Sequence, residues 1–150
     1  MPKRTDAAVP LGEVLATTRV GLGIDDAFRA FTEDIDRWWQ RDPARPDAIV
    51  QFHGDRLVSV AADGTELVAE VAQWSPPSLV ELRWHGPHSQ PGDVVVVELW
   101  QDGVDTRVTI RHRRDGLVPG ADAGGITGTW WGDLLRRLAA AHPSPVGQRE

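Results

Sequence analysis

At 150 residues the chain fits one domain, long enough to bury about 70% of its unfolded surface without a disulfide or metal staple. It has no cysteine, which excludes disulfides, thiolate zinc sites and cysteine nucleophiles, and fits a reducing cytoplasm. A net charge of −6 argues against nucleic acid as a partner, since neutralising phosphates takes clustered positive charge. No apolar run approaches the roughly 20 residues of a membrane span, and Met1–Pro10 lacks the apolar core of a signal peptide.

Residues 1–12 are polar and proline-bearing, which predicts a flexible tail. Glu13–Val20 alternates polar and apolar positions and is rich in β-branched residues, the pattern of a strand, and Gly21 and Gly23 end it. Ile24-Asp25-Asp26 then opens a helix, with an aspartate available to cap its free amides. Phe28, Phe31 and Ile35 follow at helical spacing, with Trp38 and Trp39 one turn on. This predicts one short helix, or two with a break near Thr32–Asp34, presenting an aromatic face. Arg41–Asp47, with Pro43 and Pro46, reads as a loop.

The period then switches to two. Ile49–His53, Arg56–Ala61, Glu66–Trp74, Leu79–His85, Asp93–Trp100 and Thr106–Arg113 all read as strands. Asp63-Gly64 and Asp102-Gly103 are dipeptides that tight hairpins prefer, and Ser75-Pro76-Pro77 and Gly86–Gly92 are further turns. After a flexible approach at Gly120–Gly125, Asp122–His142 reads as a long amphipathic helix. Ile126, Trp130, Leu134, Leu138 and Ala141 form one stripe, which Trp131 and Leu135 widen. Asp133, Arg136 and Arg137 supply its wet face, and Pro143 and Pro145 stop it. The expected fold is α+β: a curved antiparallel sheet of seven strands wrapped around the C-terminal helix, with a short helical segment after the first strand. Residues 13–142 form the domain, and 143–150 a second flexible tail.

Several of these segments, in order, carry a resemblance. They are Phe28-Arg29-Ala30-Phe31-Thr32 running into Asp36-Arg37-Trp38-Trp39, then Asp63-Gly64-Thr65-Glu66, and Val71–Pro77 followed by Leu79–Trp84. Thr106–His112 and Trp131 leading into Leu134, Leu135 and Leu138 complete the set. Over roughly residues 13–142 the chain resembles bacterial single-domain proteins of the activator of heat-shock protein 90 ATPase homologue-like family, in the START-like, or SRPBCC, superfamily. That resemblance implies a helix-grip fold with an apolar cavity between sheet and long helix. Its members include lipid and hormone carriers, polyketide cyclases and co-chaperone domains, so the fold alone does not choose among them. The chain has no room for the additional N-terminal domain of the eukaryotic co-chaperone, which counts against a chaperone role.

Seven tryptophans and no tyrosine fit either a core filled by indoles or an aromatic-lined cavity. Trp84 shares a face with Val80 and Leu82, and Trp38 and Trp39 fall where a helix-grip pocket opens. Trp130 and Trp131, neighbours on a helix, cannot both centre on the core. Trp100 falls out of step with Val95, Val97 and Leu99 and could serve a homodimer contact outside. Alternation puts Val108, Ile110 and His112 on one face, so His112 is either a satisfied core histidine or a polar handle in the cavity. Glu70 reads as a wet-face carboxylate or a cavity acid, and His53 as a strand-end surface residue that could meet His112. His85, His88 and His142 read as solvated or terminal. The histidines lack metal-ligand spacing, and Gly21-Leu22-Gly23 lacks the third glycine of a dinucleotide fingerprint.

The leading expectation is a cytoplasmic protein that binds a small apolar or amphipathic molecule, with no cofactor, no metal and no catalytic residue assigned. Trp38, Trp39, Trp84, Val108, Ile110, His112, Trp130 and Trp131 would line the cavity. Two other readings stand beside it: a protein-interaction module, and a cofactor-free cyclase-like enzyme in which His112 moves protons with Glu70 or His53.

Overall fold

The computed structural model describes residues 13–40, 45–86, 92–114 and 124–143. In chain order the elements are β1 (Glu13–Val20), α1 (Ile24–Thr32), α2 (Ile35–Trp38), β2 (Ile49–His53), β3 (Arg56–Ala61), β4 (Gly64–Ser75), β5 (Leu79–Trp84), β6 (Asp93–Asp102), β7 (Asp105–Arg114) and α3 (Gly124–Ala141). The strands form one antiparallel sheet in the order β1-β7-β6-β5-β4-β3-β2. This is the α+β arrangement that the alternation predicts, in the helix-grip form that the resemblance implies. The expected tails at 1–12 and 144–150, His88, and the approach to α3 before Gly124 lie outside the described residues.

Alternation builds the sheet's inner face. Val80, Leu82 and Trp84 of β5, Val95, Val97 and Leu99 of β6, and Val108, Ile110 and His112 of β7 are all buried. α3 covers them with Trp131, Leu134, Leu135 and Leu138, each no more than 1% exposed. This i, i+3, i+4, i+7 arc is narrower than the expected stripe and rotated from it. Trp130 is only half-buried and Ala141 is exposed, while the Ile126 side chain is outside the described set. The bulkier neighbour, Trp131, therefore takes the centre. Arg136 stays on the wet face in an ion pair with Asp133. Arg137 is exposed as expected, and its Nε also donates to the Trp38 carbonyl at 3.0 Å and so ties α2 to α3.

Two expectations fail locally for identifiable reasons. No aspartate caps α1: its N-cap is Gly23, without a side-chain bond, and the Ile24 N–H donates instead to Gln101 Oε1 of β6 at 2.9 Å. The cap is thus tertiary; Asp25 and Asp26 lie in the first turn, at the positive end of the helix dipole, and Asp26 also accepts a hydrogen bond from Arg29. Nor is β4 one regular strand. Leu57 pairs with Ala69 but Val58 with Leu67, and Val71 pairs with Leu82 but Gln73 with Glu81, so Val68 and Ala72 are extra residues. Each such bulge reverses the alternation and bends the strand. As a result Trp74 stands opposite Val80, on the inner face.

The hairpins follow glycine chemistry. Asp102 pairs with Asp105 across a Gly103–Val104 tip, with Gly103 at φ 66. The β2–β3 tip uses Gly54 at φ 62 in the same way, a turn not anticipated in the chain pattern. Between β3 and β4 the tip residues are Ala62 and Asp63, one step earlier than expected, because Ala61 pairs with Gly64. Arg45 closes that hairpin from below. Its guanidinium, 11% exposed, bonds Asp63 Oδ1 at 3.1 Å, Glu66 Oε1 at 2.7 Å and the Gly64 carbonyl at 2.7 Å. Burial alone would lower its pKa, but the bonds and charges of Asp63 and Glu66 outweigh that and raise it above the ordinary value. A raised cationic pKa supplies its stability below the unfolded value and loses it only as pH climbs through the folded one. Arg45 therefore stays charged through the neutral range.

Leu134→Ala should cost about 2–5 kcal/mol by cavity formation. Arg136→Ala should change stability by less than about 0.5 kcal/mol. Equal effects in a urea denaturation series would show that α3 presents a different face.

Candidate functional site

Three elements bring tryptophans together over the inner face. The Trp38 indole, buried, donates to the Ala30 carbonyl at 3.0 Å and so satisfies an acceptor near the end of α1. Trp39 follows in extended conformation, and its ring meets Trp38, Trp84 and Trp130 at centroid distances of 6.0, 6.2 and 5.5 Å. Trp84 of β5 also meets Trp131 at 5.1 Å and Trp130 at 6.0 Å, and the last two lie 4.7 Å apart. These are contact separations for aromatic rings. Trp38, Trp39, Trp84 and Trp131 are buried, and Trp130 alone is partly exposed. Val108 and Ile110 lie in the same core, both at 0% exposure, on the strand that carries His112. The residues expected to line a cavity are thus gathered in one place, with their indole rings packed against one another.

His112 is 2% exposed, and both of its ring nitrogens are engaged. Nδ1 lies 3.0 Å from Trp131 Nε1 and Nε2 lies 2.8 Å from Asp93 Oδ2. An indole nitrogen can only donate, so Nδ1 is the acceptor and the ring proton sits on Nε2, directed at the Asp93 carboxylate. A second ring proton would set two donors against each other at Trp131. The lone pair that a general base would need is therefore already in use.

The acid–base partners considered for His112 are elsewhere. Glu70 Oε1 is 3.3 Å from His85 Nε2, both side chains nearly half exposed, and His53 is exposed at the end of β2. The group that does reach His112 is Asp93, itself 3% exposed. It was legible from the hairpin: pairing Asp102 with Asp105 puts Val95 opposite His112 and Asp93 one inward step along β6. Among the described residues, no three His, Asp or Glu side chains stand close enough to hold a metal ion.

An open concavity lies at the other end of the inner face, between α1 and the β4–β5 turn, with a volume of about 420 Å³. Asp25, Phe28, Arg29, Thr32 and Glu33 form one wall. Their spacing is i, i+3, i+4, i+7, i+8, a single stripe of a helix. Trp74, Pro76 and Pro77 form the other wall. Trp74 is 44% exposed although it is on the inner face, and it meets Phe28 at 5.3 Å and Phe52 at 5.5 Å, both edge to face. Sequence alternation missed this residue because the bulge at Ala72 sets its direction.

A seven-stranded antiparallel sheet closed over a C-terminal helix, with short helices at one end, defines the helix-grip class of START-like proteins. The chain belongs to the family described as Activator of Hsp90 ATPase homolog 1-like protein, whose profile matches residues 23–142. Comparison with curated proteins finds no match. Among solved structures, the Aha1 dimer of Colwellia psychrerythraea is 18% identical, with 87% of this chain and 95% of that one covered at a TM-score of 0.60. CalU16 of Micromonospora echinospora is 17% identical, covering 91% and 79%, at 0.61. Protein MLL2253 of Mesorhizobium loti is 19% identical, covering 92% and 98%, at 0.60. At such identities the likeness concerns the fold.

Trp131→Phe keeps an aromatic ring but removes the donor to His112, and should cost about 1–3 kcal/mol for the unsatisfied buried acceptor. Nitrogen chemical shifts should show His112 protonated at Nε2 near neutral pH. Protonation at Nδ1, or a Trp131→Phe variant as stable as the parent in urea, would contradict the assigned bonding.

Proposed function

We propose that this protein binds a small apolar or amphipathic molecule, and that the molecule sits in the groove between α1 and the β4–β5 turn. One observation carries the reading: Trp74, on the inner face of the sheet, remains 44% exposed and walls a concavity of about 420 Å³. Small-molecule sites are typically concavities of about 300–1,000 Å³ with aromatic walls and a few polar groups. The deeper Trp39–Trp84–Trp130–Trp131 cluster offers rings that already satisfy one another, so a ligand there would first have to separate them. Catalysis draws no support from His112, whose nitrogens are both taken. A reducing cytoplasm is the compartment we infer from the cysteine-free chain.

A neutral fluorescent probe, N-phenyl-1-naphthylamine, tests this placement. Trp74→Ala should weaken its binding by about tenfold, the share of one aromatic contact, while leaving the fold intact. Unchanged binding in Trp74→Ala, together with loss in Trp130→Ala, would move the site to the inner indole cluster.

We also infer a homodimer contact through Trp100, which is 45% exposed on the outer face opposite Arg107 of β7. The similar Colwellia protein is a dimer, which supports the inference. Trp100→Glu should shift sedimentation from dimer to monomer. A monomeric parent protein would refute this contact without touching the ligand reading.

A further inference from the structure

Trp131, His112 and Asp93 form a buried chain of bonds that one added proton would break at a defined place. From α3 into the sheet, the Trp131 indole donates to His112 Nδ1 at 3.0 Å, and His112 Nε2 donates to Asp93 Oδ2 at 2.8 Å. All three side chains are buried. Among the described residues, β6 faces the imidazole with Asp93 and Val95, and β1 with Val14, opposite it in register. β5 adds the Trp84 ring and α3 the Trp131 ring, each at 6.2 Å. Arg111 and Arg113, the neighbours of His112 along β7, point to the outer face, where Arg111 meets Glu98 and Glu13.

The two bonding partners of His112 favour different protonation states. An indole can only donate, so Trp131 is satisfied by an imidazole that keeps a lone pair at Nδ1. The Asp93 carboxylate is served better by an imidazolium, which adds charge attraction to the hydrogen bond. A second ring proton therefore strengthens the bond within the sheet and abolishes the bond to the helix, taking from the buried Trp131 N–H its acceptor at His112. Leu134, Leu135 and Leu138, on the same arc of α3, make apolar contacts without direction. They can stay seated while the turn that carries Trp130 and Trp131 tilts.

We infer that this chain is a proton-sensitive fastening between sheet and helix: acidification loosens the Trp130–Trp131 turn of α3 and uncovers the Trp39 and Trp84 rings that it covers. The bond to Trp131 belongs to the neutral ring, so the stability it supplies is present at high pH and lost as pH falls through the imidazole range, about pH 8 to 5. None of the three side chains walls the groove between α1 and the β4–β5 turn, so the fastening is independent of the ligand reading above.

Hydrogen exchange at the Trp131 indole N–H, assigned with Trp131→Phe and followed by NMR from about pH 7.5 to about pH 5, tests this. After correction for the intrinsic pH dependence of exchange, its protection should fall by about tenfold or more, in step with protonation of His112 Nδ1 in the nitrogen spectrum. The Val80 and Val97 amides, in the paired β5 and β6, should keep their protection. Asp93→Asn retains a polar group but removes the charge that favours the imidazolium, and should displace the loosening to lower pH. Trp131→Phe has no such bond to lose, so protection of its Leu134 and Leu135 amides should be equal at both ends of the range. Trp131 protection that stays constant while His112 gains its proton would overturn the inference, as would a His112 that takes up no second proton. Loss of protection in α3, Val80 and Val97 together would overturn it too, because that is unfolding of the whole domain.

Discussion

The bond from the Trp131 indole to His112 Nδ1 sets where α3 lies on the sheet. Aliphatic contact alone is non-directional, and a helix resting on valines and leucines can slide or roll at little cost. A buried hydrogen bond cannot be displaced without leaving a donor and an acceptor unsatisfied. His112 is in turn held by Asp93 across the β6–β7 pair, so the helix is referenced to two strands rather than one. Once Trp131 is fixed, helix geometry dictates the rest: Leu134, Leu135 and Leu138 fall on the same arc. Trp130, about 100° away around the axis, swings toward Trp39 and Trp84.

That placement determines how the two small helices close the end of the sheet. Arg137 on α3 reaches the Trp38 carbonyl, Trp38 reaches back to Ala30, and Asp36 Oδ1 accepts from the Val50 N–H at the start of β2. α2 is only four residues long and has no stability of its own, so these outside bonds hold it. The cost appears at Gly86. A Cβ there would stand 2.9 Å from Val68 Cγ1 and 3.0 Å from the Trp84 ring, so the chain leaving β5 can pass the indole only as glycine.

How much of this was legible depended on where the period of two held. In β5, β6 and β7 it held throughout, and Trp84, Val108, Ile110 and His112 face inward while Trp100 faces out, as alternation requires. In β4 two bulges reset it, and no local feature of Val68 or Ala72 announces a bulge, so the direction of Trp74 was not readable. On α3 the apolar residues fill more than one arc, and spacing alone could not say whether Trp130 or Trp131 sits at its centre. The choice was made by a partner distant in sequence, His112. Capping of α1 failed for a similar reason: Gln101, on β6, had the better reach to the Ile24 N–H than any aspartate within the helix.

α1 serves two surfaces at once, and this links stability to the candidate site. Ala27, Ala30 and Phe31 are buried in the core, while Asp25, Arg29 and Glu33 stand on the rim of the groove, and Phe28 belongs to both. Phe28 is 7% exposed and touches Trp74 with its ring, so the floor of the groove is also the roof of the core. Between sheet and α3 the indoles of Trp39, Trp84, Trp130 and Trp131 pack against one another. Accessible aromatic surface then remains where the bulged strand turns Trp74 inward and α1 does not cover it. Substitutions on the exposed positions of that stripe can retune the rim without disturbing the core, because Asp25, Arg29 and Glu33 contribute none of its buried area. A change at Phe28 cannot be confined in this way.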